Sequence, residues 1–195
     1  MGLPAGDAEL VQIMDAALAE AARRAGPWLK CRPGCTQCCH GAFAINALDG
    51  ERLRVGLEEL RAADPLTAEA VEKHARAWVT EFGAEYPGDA LTGSLGTTDE
   101  ELAQFEGFAN EAACPALDPA TGFCAMYAWR PMTCRVFGPP VEMDGGFGCC
   151  ELCFIGAGET VIATCAMPVP HDLEERLVTE TGDANTTVVA FALLT

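Results

Sequence analysis

The chain has 195 residues, half of them hydrophobic, which suits a packed core and argues against wholesale disorder. Its formal charge of −17, from 29 acidic and 12 basic side chains, repels phosphate backbones and makes nucleic acid an unfavourable partner. No run of about 18 apolar residues offers a membrane span, and eleven cysteines against three histidines direct attention to thiol chemistry.

The first predicted element is an amphipathic helix from Asp7 to Ala25. Leu10, Ile13, Met14, Ala17, Leu18 and Ala21 recur at helical spacing, and Gly26-Pro27 ends the run. The stretch from Met1 to Ala25 is acidic and lacks the basic and apolar regions of a secretory signal, so the expectation is a cytoplasmic chain. A polar, turn-rich loop follows from Cys31 to His40. Asp49 is expected to cap a second helix through Leu53, Leu57 and Leu60, ending before Pro65. Thr67 is expected to cap a third, carrying Val71, His74, Trp78, Val79 and Phe82.

Gly83 to Thr98 reads as a surface loop and Asp99 to Phe108 as a short helix. Asp144-Gly145 marks a hairpin between extended runs, Thr160 to Met167 reads as a strand, and His171 to Thr179 as a last helix. The apolar tail from Val188 to Leu194 is strand-like or docked. The sum is an α+β fold: a mainly α-helical single domain over residues 1–195 with a small antiparallel β element near the C-terminus.

The cysteines are not evenly spread. Cys31-Arg-Pro-Gly-Cys35-Thr-Gln-Cys38-Cys39-His40 places four thiols within nine residues of a polar loop, where short spacings aim thiolates at one ion. Cys114, Cys124 and Cys134 follow at ten-residue intervals, too far apart for a turn knuckle, so tertiary folding must gather them. Pro131 pushes Arg130 toward an extended conformation. Cys149, Cys150 and Cys153 form a third group with ligand spacing, whereas Cys165 reads as a core residue. The adjacent pairs Cys38-Cys39 and Cys149-Cys150 are awkward in a disulfide scaffold, and in a reducing compartment clustered thiols point to metal or redox chemistry.

Charge limits the stoichiometry. One zinc ion or one four-iron cluster with four thiolates carries a formal charge near about −2. Ten thiolates around a single zinc are untenable, so either some cysteines are not ligands or more than one centre exists. Arg130 and Arg135, with Tyr127, are candidates to support the site from behind its ligands. His40 reads as a bystander and His74 and His171 as structural. Phe123, Tyr127, Trp129, Phe137, Phe147 and Phe154 supply an aromatic surround that fits a partly buried cluster.

Cys31…Cys35-x-x-Cys38-Cys39, then Cys114-Pro-x-Leu117, then Cys124-x-x-Tyr127-x-x-Arg130-Pro131-x-x-Cys134-Arg135 resembles the YkgJ-like, CxxCxxCC-type zinc- or iron-chelating proteins. The resemblance covers about residues 31–138, making them the metal-binding region between an N-terminal helix (1–30) and a C-terminal extension (139–195). The departure is the first spacing, three residues between Cys31 and Cys35 where the family name implies two, which sets Cys31 apart. The resemblance implies chelation of zinc or iron, with an iron–sulfur (4Fe-4S) cluster as one form. The ligand set comprises Cys31, Cys35, Cys38, Cys39, Cys114, Cys124, Cys134, Cys149, Cys150 and Cys153.

Three functions fit this reading. The first is a metal or iron–sulfur protein for storage, delivery, sensing or electron transfer. The second is a cluster-dependent modifying enzyme, by analogy with flagellin lysine methylases of similar cysteine pattern. The third is a structural zinc domain for protein contacts. No P-loop, H-E-x-x-H or G-x-S-x-G motif occurs, Gly145-Gly146-Phe147-Gly148 is too short for dinucleotide binding, and no residue receives a catalytic role.

Overall fold

The computed structural model describes residues 2–143 and 145–195. The chain gathers into two compact units interleaved along the sequence. Gly34–Pro131 and Val178–Thr195 make up most of the first, and Pro4–Pro33 with Met132–Leu177 the second.

In the first unit β1 (Ile45–Asn46) leads into α2 (Ala47–Ala63), which packs on α3 (Pro65–Phe82); the first helix, α1 (Asp7–Ala25), lies in the second unit. The caps differ from expectation by a few residues. Asn46, not Asp49, caps α2 by accepting the Asp49 N–H at 2.9 Å, and Asp64, not Thr67, caps α3 by accepting the Thr67 N–H at 3.1 Å. Either carboxamide or carboxylate satisfies an orphan N–H, worth about 1 kcal/mol. The cap preference alone could not choose between Asn46 and Asp49, three residues apart. Packing decides, because Asp49 is buried and pairs with the equally buried Arg52.

Leu53 and Leu57 of α2, Val71 and Ala75 of α3, and Ala116, Met126 and Leu193 share one core, each large side chain contributing about 1.5–3 kcal/mol. A second, aromatic cluster joins Trp78, Tyr86, Phe108 and Phe191, with Tyr86 and Phe191 ring centroids 4.6 Å apart. The segment expected as a plain loop holds a small hairpin, β2 (Gly88–Asp89) with β3 (Ser94–Leu95), fastened because the buried Tyr86 hydroxyl donates to the Gly93 carbonyl at 2.8 Å. α4 (Asp99–Gly107) opens on a capping box between Thr98 and Glu101. The tail returns as β6 (Thr186–Thr187), antiparallel to β1 with Ile45 opposite Thr187, and then as the buried short helix α8 (Val189–Ala192). The tail is thus docked, and helical where a strand was the alternative.

The second unit packs α1 (Asp7–Ala25) on α5 (Met132–Val136). The expected hairpin is present as β4 (Val141–Met143) paired with β5 (Gly146–Gly148); Asp144 itself lies outside the described residues. The expected strand from Thr160 to Met167 is instead the helix α6 (Glu159–Thr164), followed by α7 (His171–Glu180). A short apolar run does not distinguish strand from buried helix, and here side chains decide. Thr164 donates its hydroxyl to the Thr160 carbonyl at 2.7 Å, and the Arg24 guanidinium takes the carbonyls of Thr164 at 3.0 Å and Ala166 at 2.9 Å. No described helix is long and apolar enough to cross a membrane.

Gly56 is where α2 meets the Tyr127–Trp129 turn. A β-carbon there would lie 2.2 Å from Trp129 Cγ. Alanine gains about 1 kcal/mol of helix propensity over glycine, but overpacking costs about 1–3 kcal/mol. Gly56→Ala should therefore lower stability, read as a lower urea midpoint at unchanged slope.

Candidate metal centre

Three cysteine-bearing segments of the first unit are linked by backbone hydrogen bonds and close approach. Cys39 accepts the Cys114 N–H at 2.7 Å and Gly41 donates to the Ala112 carbonyl at 2.9 Å, so the 39–41 segment pairs antiparallel with 112–114. Cys114 and Cys124, ten residues apart, are the stems of a hairpin. Ala125 donates to Ala116 and Asp118 accepts through its carbonyl from Gly122, both at 2.8 Å. Asp118 closes the turn by accepting the Ala120 N–H at 2.9 Å and the Thr121 hydroxyl at 2.6 Å. Gly122, at φ +73°, lets the 34–36 segment approach, its missing β-carbon facing Gly34 O and Thr36 Cγ2 at 3.5 Å. Cys35 rides between those two residues. The Asp118-Pro-Ala-Thr-Gly122 turn was a readable signal, and it corrects the expectation that only distant tertiary folding could bring Cys114 to Cys124.

The thiols feel one another. The adjacent Cys38 and Cys39 thiols act on each other, which holds the Cys38 thiol below its ordinary range and pushes the Cys39 thiol up. The charges of Cys114 and Cys124 raise Cys39 further, and those of Arg130 and His40 lower Cys38. Burial pushes the Cys114 thiol up to about 12, partly offset by the nearby backbone N–H groups of Ala116 and Leu117, the latter donating to the Cys114 carbonyl at 2.9 Å. Burial likewise raises Cys124, offset by the Met126 N–H and by Arg130. Backbone N–H groups near a sulfur favour the thiolate that a metal requires.

Arg130 is extended (φ −59°, ψ 146°) as Pro131 demands, buried, donates to the Tyr127 carbonyl at 2.8 Å and stands 3.9 Å from the Tyr127 ring centroid. Arg135 lies in the second unit, where it donates to Asp15 at 2.6 Å. His40 is exposed, its Nδ1 3.0 Å from the Thr36 carbonyl. His74 lies on α3 near the Pro115 carbonyl and lines an open cavity of about 720 Å³ that also meets Trp78, Phe82, Asn110 and Cys114.

The remaining expected ligands, Cys31, Cys134, Cys149, Cys150 and Cys153, belong to the second unit, as does Cys165. Cys165 is buried with Ala25, Cys150, Cys153 and Phe154, as a core residue should be, but it caps α6 rather than sitting in a strand. Among the described residues, no group of three or more His, Cys, Asp or Glu side chains is placed to hold a metal ion. The donor chemistry nevertheless fits a thiophilic metal: soft sulfurs and a buried guanidinium.

A mainly helical domain with thiols gathered on turns is the class that these observations define. The chain belongs to the CxxCxxCC family, described as a "putative zinc- or iron-chelating domain", whose family model matches residues 30–153. Comparison with curated proteins and with solved structures finds no match.

The thiol asymmetry has a measurable consequence. Alkylation needs the thiolate, so in metal-free protein Cys38 should react with iodoacetamide at neutral pH. Cys114 should stay unmodified until the pH is well above the ordinary thiol range. Peptide mass spectrometry across a pH series reads this order, and equal rates at both sites would contradict it.

Proposed function

We propose that this protein chelates zinc or iron through thiolates of its first unit, with Cys38, Cys39, Cys114 and Cys124 as the ligand set and Cys35 on the same loop. The observation that carries the reading is the backbone pairing of 39–41 with 112–114 and the hairpin between Cys114 and Cys124, which join the cysteine-bearing segments, with Arg130 buried in the same unit. Four thiolates around Zn²⁺ leave a net charge near about −2, and a guanidinium at the back of the site offsets part of it. Bound iron would take the form of an iron–sulfur cluster, to which all-thiolate ligation is equally suited. Storage, delivery, sensing and electron transfer all use such a centre.

The cavity beside Cys114 favours a second reading, a cluster-dependent modifying enzyme. Its volume of about 720 Å³ is that of a small-molecule site. Saturable binding of S-adenosylmethionine to metal-loaded protein would establish that reading, and its absence would remove it.

Anaerobically purified protein should hold zinc or iron by elemental analysis, with broad visible absorption if iron–sulfur is present. A sample holding neither overturns the proposal. Arg130→Met should weaken metal retention about 10- to 100-fold in chelator competition, the usual effect of removing a supporting group behind the ligands.

A further inference from the structure

We infer that the cavity beside α3 is the site of a small organic cation: a free amine whose apolar body lies against Trp78 and Phe82 and whose ammonium is neutralised by Glu81 and Glu111. The inference goes beyond the functions proposed above and rests on neither metal chelation nor S-adenosylmethionine binding.

The cavity walls come from two parts of the first unit, the later half of α3 and the 107–119 segment. Its floor is aromatic and fixed. Trp78 is buried and meets Phe108 and Phe191 nearly at right angles, with ring centroids 5.8 Å and 6.4 Å away. The Phe82 ring is tilted beside it at 5.1 Å. Such rings attract a cation held within about 6 Å of the ring centroid.

The charge around this floor has one sign. Glu81 and Glu111 line the cavity, and among the described residues no lysine or arginine does. Both glutamates are exposed, so a ligand entering from solvent reaches them. His74 adds a third polar side chain, its Nδ1 3.4 Å from the Pro115 carbonyl. A proton shared with that carbonyl leaves Nε2 as an acceptor. An ammonium, which only donates, matches this set of acceptors, whereas a phosphate or carboxylate would meet two like charges. The volume of about 720 Å³ takes a whole small molecule, which a single side chain reaching in from another protein would not fill.

The backbone strain of the first unit lies in the same wall. Ala109 lines the cavity at φ +50°, a conformation uncommon outside glycine that persists only where its surroundings hold it. Its carbonyl accepts the Ala112 N–H at 3.0 Å, and the Ala112 carbonyl accepts the Gly41 N–H at 2.9 Å. This wall is therefore held in shape without a ligand, which lowers the ordering cost of binding.

The test uses the full-length, anaerobically purified protein and three probes that share a phenylethyl body and differ in the charge of the head group: phenethylamine, phenethyl alcohol and phenylpropionate. Calorimetric titration should show saturable binding of the amine, at least about threefold tighter than the alcohol, with phenylpropionate weakest. Added salt should narrow the gap between amine and alcohol. Glu81→Gln with Glu111→Gln should reduce the amine to the affinity of the alcohol and leave the alcohol unchanged. Glu59→Gln with Glu69→Gln, which removes the same charge from exposed positions outside the cavity, should alter neither. Ala77→Trp, on an exposed position of the cavity wall, should block both probes while circular dichroism stays native.

Equal binding of amine and alcohol, or no saturable amine binding, overturns the inference. So does amine binding that survives Ala77→Trp, or that falls as much in the Glu59/Glu69 variant as in the Glu81/Glu111 variant. A capped lysine peptide that binds tighter than phenethylamine would overturn the assignment to a free amine. The metal content of the same samples is read separately by elemental analysis, so each of these failures leaves the chelation reading intact.

Discussion

Crowding thiols in a low-dielectric setting is the constraint on which the first unit turns. Two unit charges about 4 Å apart repel by about 4 kcal/mol at an effective dielectric constant of 20. Neighbouring sulfurs therefore cannot all ionise unless protons, donated hydrogens or opposite charge intervene. The unit uses all three. Cys39 is held protonated beside Cys38, backbone N–H groups lie near Cys114 and Cys124, and Arg130 favours the thiolates of Cys38 and Cys124. A divalent metal would replace this arrangement with a stronger one, since it supplies charge at the centre of the group.

The backbone donors show how the fold and the site are joined. Ala116 and Met126 each lie two residues after a cysteine, and the backbone N–H of each favours that cysteine's thiolate. Both bury their own side chains in the core built by Leu53, Leu57, Val71 and Ala75. One residue thus favours the thiolate and anchors the turn to the helices. The helices α2 and α3 provide a rigid floor, and the cysteines lie on turns above it. Trp129 packs close against Gly56 of α2, which fixes the turn that presents Tyr127 and Arg130.

The second unit solves a different packing problem. Its cysteines are partly core: Cys150, Cys153 and Cys165 pack with Ala25, Phe154, Trp28 and Leu29. Cys31 and Cys149 stay at the surface. The positive φ of Phe154 costs about 1–3 kcal/mol unless its surroundings compensate, and burial of that ring together with its N–H bond to Trp28 provides the compensation. Arg135, buried and bonded to Asp15, ties α5 to α1.

Much of this was legible in the sequence because it depends on local chemistry. The helical spacing of Leu10, Met14 and Ala21, the stop at Gly26-Pro27, the Asp144-Gly145 hairpin signal and the extended Arg130 before Pro131 are decided within a few residues. The cysteine spacings with Arg-Pro-x-x-Cys also pointed to the family, because metal chelation constrains residue type and interval together. Other features required tertiary structure. The run from Thr160 to Thr164 became helix since Arg24, some 140 residues away, captures its terminal carbonyls. Asp49 lost its capping role to a buried ion pair with Arg52. Which cysteines share a neighbourhood was likewise not a matter of spacing. Cys124 and Cys134 are as far apart in sequence as Cys114 and Cys124, yet only the latter pair spans a hairpin, and Cys134 belongs to the other compact unit. Sequence determines which donors exist and how their local turns can hold them; long-range hydrogen bonds and burial decide which donors meet.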